Sequence, residues 1–234
     1  STDTLGSKSV AIGSEALHSQ NFTSATDAYN TAVGVNAGYA VSTGVQNTII
    51  GGLAGDALTT GSNNVVVGAF ALSSDDLGSF NTALGYNTLA AMNFASATDS
   101  YNTAVGARAG QAVTTGVNNT LIGGLAGEDN TTGHSNTMVG QHVGGDTTTG
   151  HSNTFLGFAA ANYNVLNTTG LRNVIVGAYS RATAADADRA MVLGYDVSGA
   201  AGYTTLGSGT ADIRAAHGNV TWATVSDERY KKDI

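Results

Sequence analysis

The side chains in this sequence that could do chemistry are few, and most fall at repeating intervals. His134 and His151 occupy the same place in two copies of Gly-His-Ser-Asn, with His142 between them. Imidazoles stacked on successive turns of a repeat could bind a metal or an anion. Surface turn residues copied by duplication are the simpler account, so neither a metal nor any other cofactor is expected. Asp186 and Asp188 hint at calcium, but the glycine spacing of calcium-binding nonapeptides is broken at Gly51-Gly52-Leu53-Ala54-Gly55. A solvated acidic loop is the expectation there. The remaining carboxylates stand mostly alone, without an assignable glycosidase pair. Phe22, Tyr29, Phe94, Tyr101 and Tyr163 carry rings that could stack on sugars, and they are the candidate contacts to a cell-surface glycan or other receptor. The competing expectation is that about half of them pack against their own fold. Thr31, Thr48, Thr82, Thr103, Thr120, Thr137 and Thr154 form a column that could order ice, although the strand preference of threonine accounts for it.

What positions these residues is a pentapeptide that keeps returning. Asn30-Thr31-Ala32-Val33-Gly34 is followed by Asn47-Thr48-Ile49-Ile50-Gly51, Asn64-Val65-Val66-Val67-Gly68 and Asn81-Thr82-Ala83-Leu84-Gly85. The series continues from Asn102, Asn119, Asn136, Asn153 and Asn173, then blurs at Ala190-Met191-Val192-Leu193-Gly194. Most steps are 17 residues, two are 21 and one is 20. A short fixed period means a stack of small units, none of which can bury its own apolar face alone.

Composition narrows the function classes. The 234 residues contain no Pro and no Cys, so no disulfide or thiolate framework exists. Only 11% are charged, the formal net charge is −8, and Lys8 is the only Lys or Arg before Arg108. A nucleic-acid groove needs clustered cations, so no nucleic-acid partner is expected. Apolar residues reach 41% and recur in register, which argues against disorder. No apolar run approaches a membrane span, so no membrane insertion is expected. The opening residues lack a signal-peptide pattern, and the chain reads as a segment of a longer one.

The spacing predicts an all-β fold, a repetitive parallel β-roll or β-solenoid with 17-residue coils and two short strands per turn. Neighbouring strand residues point to opposite faces, so the two adjacent apolar residues of each pentapeptide require cover on both sides. One face can line the unit's own coil. The other calls for side-by-side association of identical chains into a homotrimeric fibre. An alanine often stands three residues after the repeat glycine (Ala16, Ala37, Ala54, Ala71, Ala109, Ala126, Ala160), leaving space for only a thin coil. The repeated Asn is expected to stack as a ladder whose amides cap turn backbone groups. Twelve glycine-ended strands from Gly13 to Gly207, at ~4.8 Å each, give a rod roughly 58 Å long. The decapeptide Asn21–Asn30 recurs 72 residues later as Asn93–Asn102, and in both places four extra residues bulge at one corner. Residues 161–167 are expected to make a third bulge.

The block Ser9-Val10-Ala11-Ile12-Gly13-Ser14-Glu15-Ala16 and its later copies resemble the head repeats of trimeric autotransporter adhesins. The resemblance runs from residue 5 to about 207 and implies trimers of left-handed parallel β-rolls. The ending Ser226-Asp227-Glu228-Arg229-Tyr230-Lys231-Lys232-Asp233-Ile234 is similar to the opening of the intramolecular chaperone domain of peptidase family S74, found at the C-termini of phage tail fibres and tailspikes. That resemblance implies a domain that trimerises the fibre and then cuts the chain at the Ser-Asp bond. Ser226 and Lys231 would be its catalytic pair, the hydroxyl as nucleophile and a lysine of lowered pKa as base. Only the start of the domain is represented, so self-cleavage is expected only when the whole domain is present, and the chain is otherwise no enzyme.

The expected organisation is a β-roll over 1–207, a trimer junction containing Trp222 over 208–225, and the start of the chaperone motif over 226–234. The expected function is extracellular attachment, as part of a phage tail fibre that binds a host or prey cell surface. A bacterial trimeric surface adhesin, a passive fibre spacer and an ice-binding solenoid are the alternatives.

Overall fold

The computed structural model describes residues 5–162, 168–218 and 223–224. They form an all-β, parallel β-solenoid. Its main ladder begins at Val10–Ile12, then Thr31–Val33, Thr48–Ile50, Val65–Val67 and Thr82–Leu84. Thr103–Val105, Thr120–Ile122, Thr137–Val139, Thr154–Leu156 and Val174–Val176 follow, and Met191–Tyr195 and Tyr203–Ser208 complete twelve parallel strands. The pentapeptides pair position for position: Thr31 with Thr48, Ala32 with Ile49, Val33 with Ile50. The 21-residue steps keep that register, since Thr82 pairs with Thr103. Extra residues are therefore absorbed at the corners and not in the ladder.

Each coil is held to the next on more than one side. Thr31 N donates to Asn47 O at 2.8 Å on the sheet, and Gly38 N donates to Ala54 O at 2.9 Å across the return path. The return path differs from the expected second strand. It is a run of turns, and two-residue ladders occur on it only where Gly6–Ser7 meets Thr26–Asp27, Gly78–Ser79 meets Thr98–Asp99, and Arg181–Ala182 meets Ser198–Gly199, among the described residues. The cause lies in the backbone. Left-handed residues recur just before the repeat asparagine (Tyr29, Gln46, Asn63, Phe80, Tyr101) and two positions after the repeat glycine (Asn36, Leu53, Phe70, Asn87). Corners so closely spaced leave too little extended chain for a second regular strand. The repeat glycine is required at Gly34, whose φ is +140° and whose missing Cβ would strike the carbonyl of Gly51.

The interior is a single file of side chains. The central strand residue points inward in every coil from Ala32 to Val192, through Ile49, Val66, Ala83, Ala104, Leu121, Met138, Phe155 and Ile175, and all are fully buried. The alanines three after the repeat glycine face them, also buried. The asparagine ladder forms as expected: Asn119 Nδ2 donates to Gly133 O at 2.9 Å, and its Oδ1 accepts from Asn136 N at 3.1 Å. The winding stops at Tyr203–Ser208, where the chain reverses through Gly209-Thr210 into the antiparallel strand Ala211–Ala216.

Candidate functional site

The outer face of the main sheet is left open by the single chain. The third strand residue of each coil points outward, and Ile12, Ile50, Leu84, Ile122 and Leu156 are 38–59% exposed. Beside this row runs the first-position row of Thr residues, broken by Val10, Val65, Val174 and Met191. A flat all-threonine array is therefore not formed. A third row extends the apolar strip past the repeat glycine. Phe70 meets Tyr86 edge-on at 6.0 Å, and Phe158, Tyr179 and Tyr195 follow one another at 5.3 and 6.0 Å. Sequence reasoning missed these rings. The available signal was their position, one or two residues after the repeat glycine, next to an outward apolar residue.

The five sugar-stacking candidates divide. Tyr29 and Tyr101 are about half exposed, on the corner before the repeat asparagine. Phe22 and Phe94 are buried, at 7% and 6%, and Phe94 joins the core cluster, so in the single chain these two rings pack against their own fold. Burying a Phe side chain stabilises by about 1.5–3 kcal/mol. Tyr163 lies outside the described residues, as do Trp222, Ser226 and Lys231. Tyr101 stacks on Phe80 at 5.1 Å with the planes 19° apart, a partner not singled out from the sequence.

His134 and His151 are stacked, with ring centroids 4.5 Å apart and planes within 10°. Each Nδ1 sits beside the hydroxyl of the following serine, at 3.3 Å for Ser135 and 3.2 Å for Ser152. Nitrogen lone pairs lie in the ring plane, so two parallel imidazoles do not converge on one ion. Asp188 is engaged by Arg172 through two hydrogen bonds of 2.7 and 2.8 Å, with Arg189 also near it. That region is an ion-paired loop. A cleft of about 420 Å³ near the end of the solenoid is lined by Arg181, Asp196, Ser198, Asp212 and Arg214 among others, and its Arg181–Asp196 pair is already closed at 2.6 Å.

Inside the coil, the position seven residues after the repeat glycine holds Val41, Leu58, Met92 and Val113, but also Asp75, Asn130 and Thr147, all buried. Burial pushes the Asp75 carboxyl up to about 6, against the opposing hydrogen bond that its Oδ1 accepts from Gly78 N. Its Oδ2 has no partner.

No family model, curated protein or solved structure matches this chain. The described residues contain no helix long and apolar enough to cross a membrane.

Proposed function

We propose that this chain is the β-solenoid segment of a homotrimeric, extracellular attachment fibre, of the tail-fibre type that ends in an S74-like chaperone. The observation that carries the reading is the outward row from Ile12 to Leu156, extended by Phe70, Tyr86, Phe158 and Tyr195. A monomeric soluble protein rarely exposes so long a contiguous apolar strip. Because every coil offers the same row at the same spacing, a second and third copy in register provide a matching surface. Attachment then needs no chemistry within this segment. Three weak contacts per coil level, presented together, give avidity that one chain lacks. Ser226 and Lys231 would act on the chain only with the rest of the chaperone domain in place. The receptor is a cell-surface glycan, met by the exposed corner rings that include Tyr29 and Tyr101.

The deciding experiment is the native mass by light scattering after size exclusion. A particle near 70 kDa, three times the 23.4 kDa chain, is expected. A monodisperse 23.4 kDa particle would overturn the fibre reading.

A further inference from the structure

The 72-residue duplication places two copies of one surface constellation in the same fold, and they differ at one decisive residue. In the first copy, Gly6–Ser7 pairs with Thr26–Asp27. Lys8 Nζ lies 2.6 Å from Asp27 Oδ2, donates to Tyr29 Oη at 3.0 Å, and stands 5.1 Å from the centroid of the Tyr29 ring. Ser7 Oγ donates to Asp27 Oδ1 at 2.7 Å. The hydrogen bond from Lys8 holds the Asp27 carboxyl below the usual range. Together these groups form a surface seat for one ammonium ion, made of a carboxylate, a phenol and a ring face, and the chain fills it with its own lysine.

In the second copy, Gly78–Ser79 pairs with Thr98–Asp99 in the same register. Tyr101 repeats Tyr29, but Phe80 stands where Lys8 stood. Phe80 stacks on Tyr101, and the two rings are 41% and 53% exposed. Ser79 Oγ turns away to accept from Ser62 N at 3.1 Å. Asp99 is exposed, and among the described residues nothing hydrogen-bonds or ion-pairs with its carboxylate. The corner column places Asn63 one coil before Phe80 and Asn118 one coil after Tyr101, so amides flank the rings on both sides.

We propose that Phe80, Asp99 and Tyr101 form a binding site for an amino sugar with an unacylated, protonated amine, whose ammonium pairs with the Asp99 carboxylate as Lys8 pairs with Asp27 in the first copy. The ring pair offers an apolar rim to the C–H face of the sugar, and Asn63 and Asn118 suit its hydroxyls. The carboxylate accepts the ammonium, and the formal charge of −8 favours approach of a cationic ligand. A lysine side chain shares the ammonium but lacks the ring of hydroxyls and C–H groups that the flanking amides and aromatic rim fit. The site deepens the attachment reading and rests on it, since it names the class of glycan met.

The test is saturation-transfer NMR on the intact chain with glucosamine at pH 6. Transfer to the sugar C–H protons is expected, with N-acetylglucosamine and glucose binding about tenfold more weakly or worse. Phe80→Lys rebuilds the arrangement already present at Lys8, so it is expected to fold and to lose glucosamine. Lys8→Phe is expected to open a second site and double the stoichiometry. Equal binding of N-acetylglucosamine, undiminished binding by Phe80→Lys, or tighter binding of Nα-acetyl-lysine amide than of glucosamine would each overturn the proposal. Cell attachment that survives Phe80→Lys would overturn only this site. A wild-type chain that takes up glucosamine and binds no cell would instead remove the attachment reading.

Discussion

Buried polar side chains carry much of the specificity of this fold. Each repeat asparagine serves two coils: the Asn119 amide closes onto Gly133 O, and its carbonyl oxygen receives Asn136 N. Asn119→Ala would leave Asn136 N buried without a partner and Gly133 O with only the Asn130 amide at 3.2 Å, a loss of about 1–3 kcal/mol on the usual cost of an unsatisfied group. Urea unfolding should show it as a lower midpoint at constant slope, and a change under 0.5 kcal/mol would contradict the ladder's role. Asp75 acts differently. Its folded pKa of about 6 lies above the ordinary value of 3.8, so the folded chain holds more protons than the unfolded one between those limits. Its contribution to stability is fully present below about pH 4 and declines as pH rises to about 6, by on the order of 3 kcal/mol. Asp75→Asn keeps an acceptor for Gly78 N and should flatten that decline. Unfolding free energies at pH 4 and 7 for both chains would decide it, and parallel pH profiles would refute the assignment.

Within a coil, the corner and the strand share one lumen, and their volumes compensate. Leu17, Leu72 and Leu89 fill left-handed corners in coils whose own central strand residues are Ala11, Val66 and Ala83. Gly38, Gly110 and Gly127 stand at the equivalent corner where Ile49 or Leu121 needs the space. A Cβ on Gly110 would come within 2.7 Å of Leu121 Cδ1 and 2.9 Å of Leu89 Cδ2, at a φ of +59°. Gly110→Ala should therefore cost about 2–4 kcal/mol through overpacking and left-handed strain together. A companion Leu121→Ala should recover part of that loss, and a thermal-melt cycle would measure the coupling. Simple additivity would mean that the two sites do not share the volume. The period was legible in the pentapeptide, and strand alternation sets Ile49 and Ile50 on opposite faces, but which of them lines the lumen was decided by the fold. The turn-filled return path was not, since asparagine, leucine, phenylalanine and arginine all occupy its left-handed corners and leave no single residue signature.

Across the whole molecule, the inner file satisfies itself and the outer row does not. If three chains meet along that row, one carboxylate in it is enough to separate them. Ile122→Asp, 38% exposed in the single chain and remote from the lumen, should leave the coil folded and drop the native mass from about 70 to 23.4 kDa. The same substitution at Thr137, on the adjacent exposed row, is a useful contrast. A particle of unchanged mass in Ile122→Asp would place the chain contact elsewhere. The loss of an internal row would instead show as a collapse of the circular dichroism signal, which separates assembly from folding.

The sequence alone determined the repeat, the twelve-strand count, the need for cover on both faces of each strand, the alanine positions and the asparagine ladder. These features depend on spacing along the chain, and parallel coils convert equal spacing into contact. The tertiary structure decided which rings face outward, that Phe22 and Phe94 are buried, that Phe80 lies on Tyr101, and that Asp75 is buried at the position held by Leu58 and Met92 in other coils. Those outcomes depend on how a corner with four additional residues folds back on its neighbour. Corner geometry is set by left-handed backbone positions and by competition for volume between coils, and neither leaves a fixed interval in the sequence.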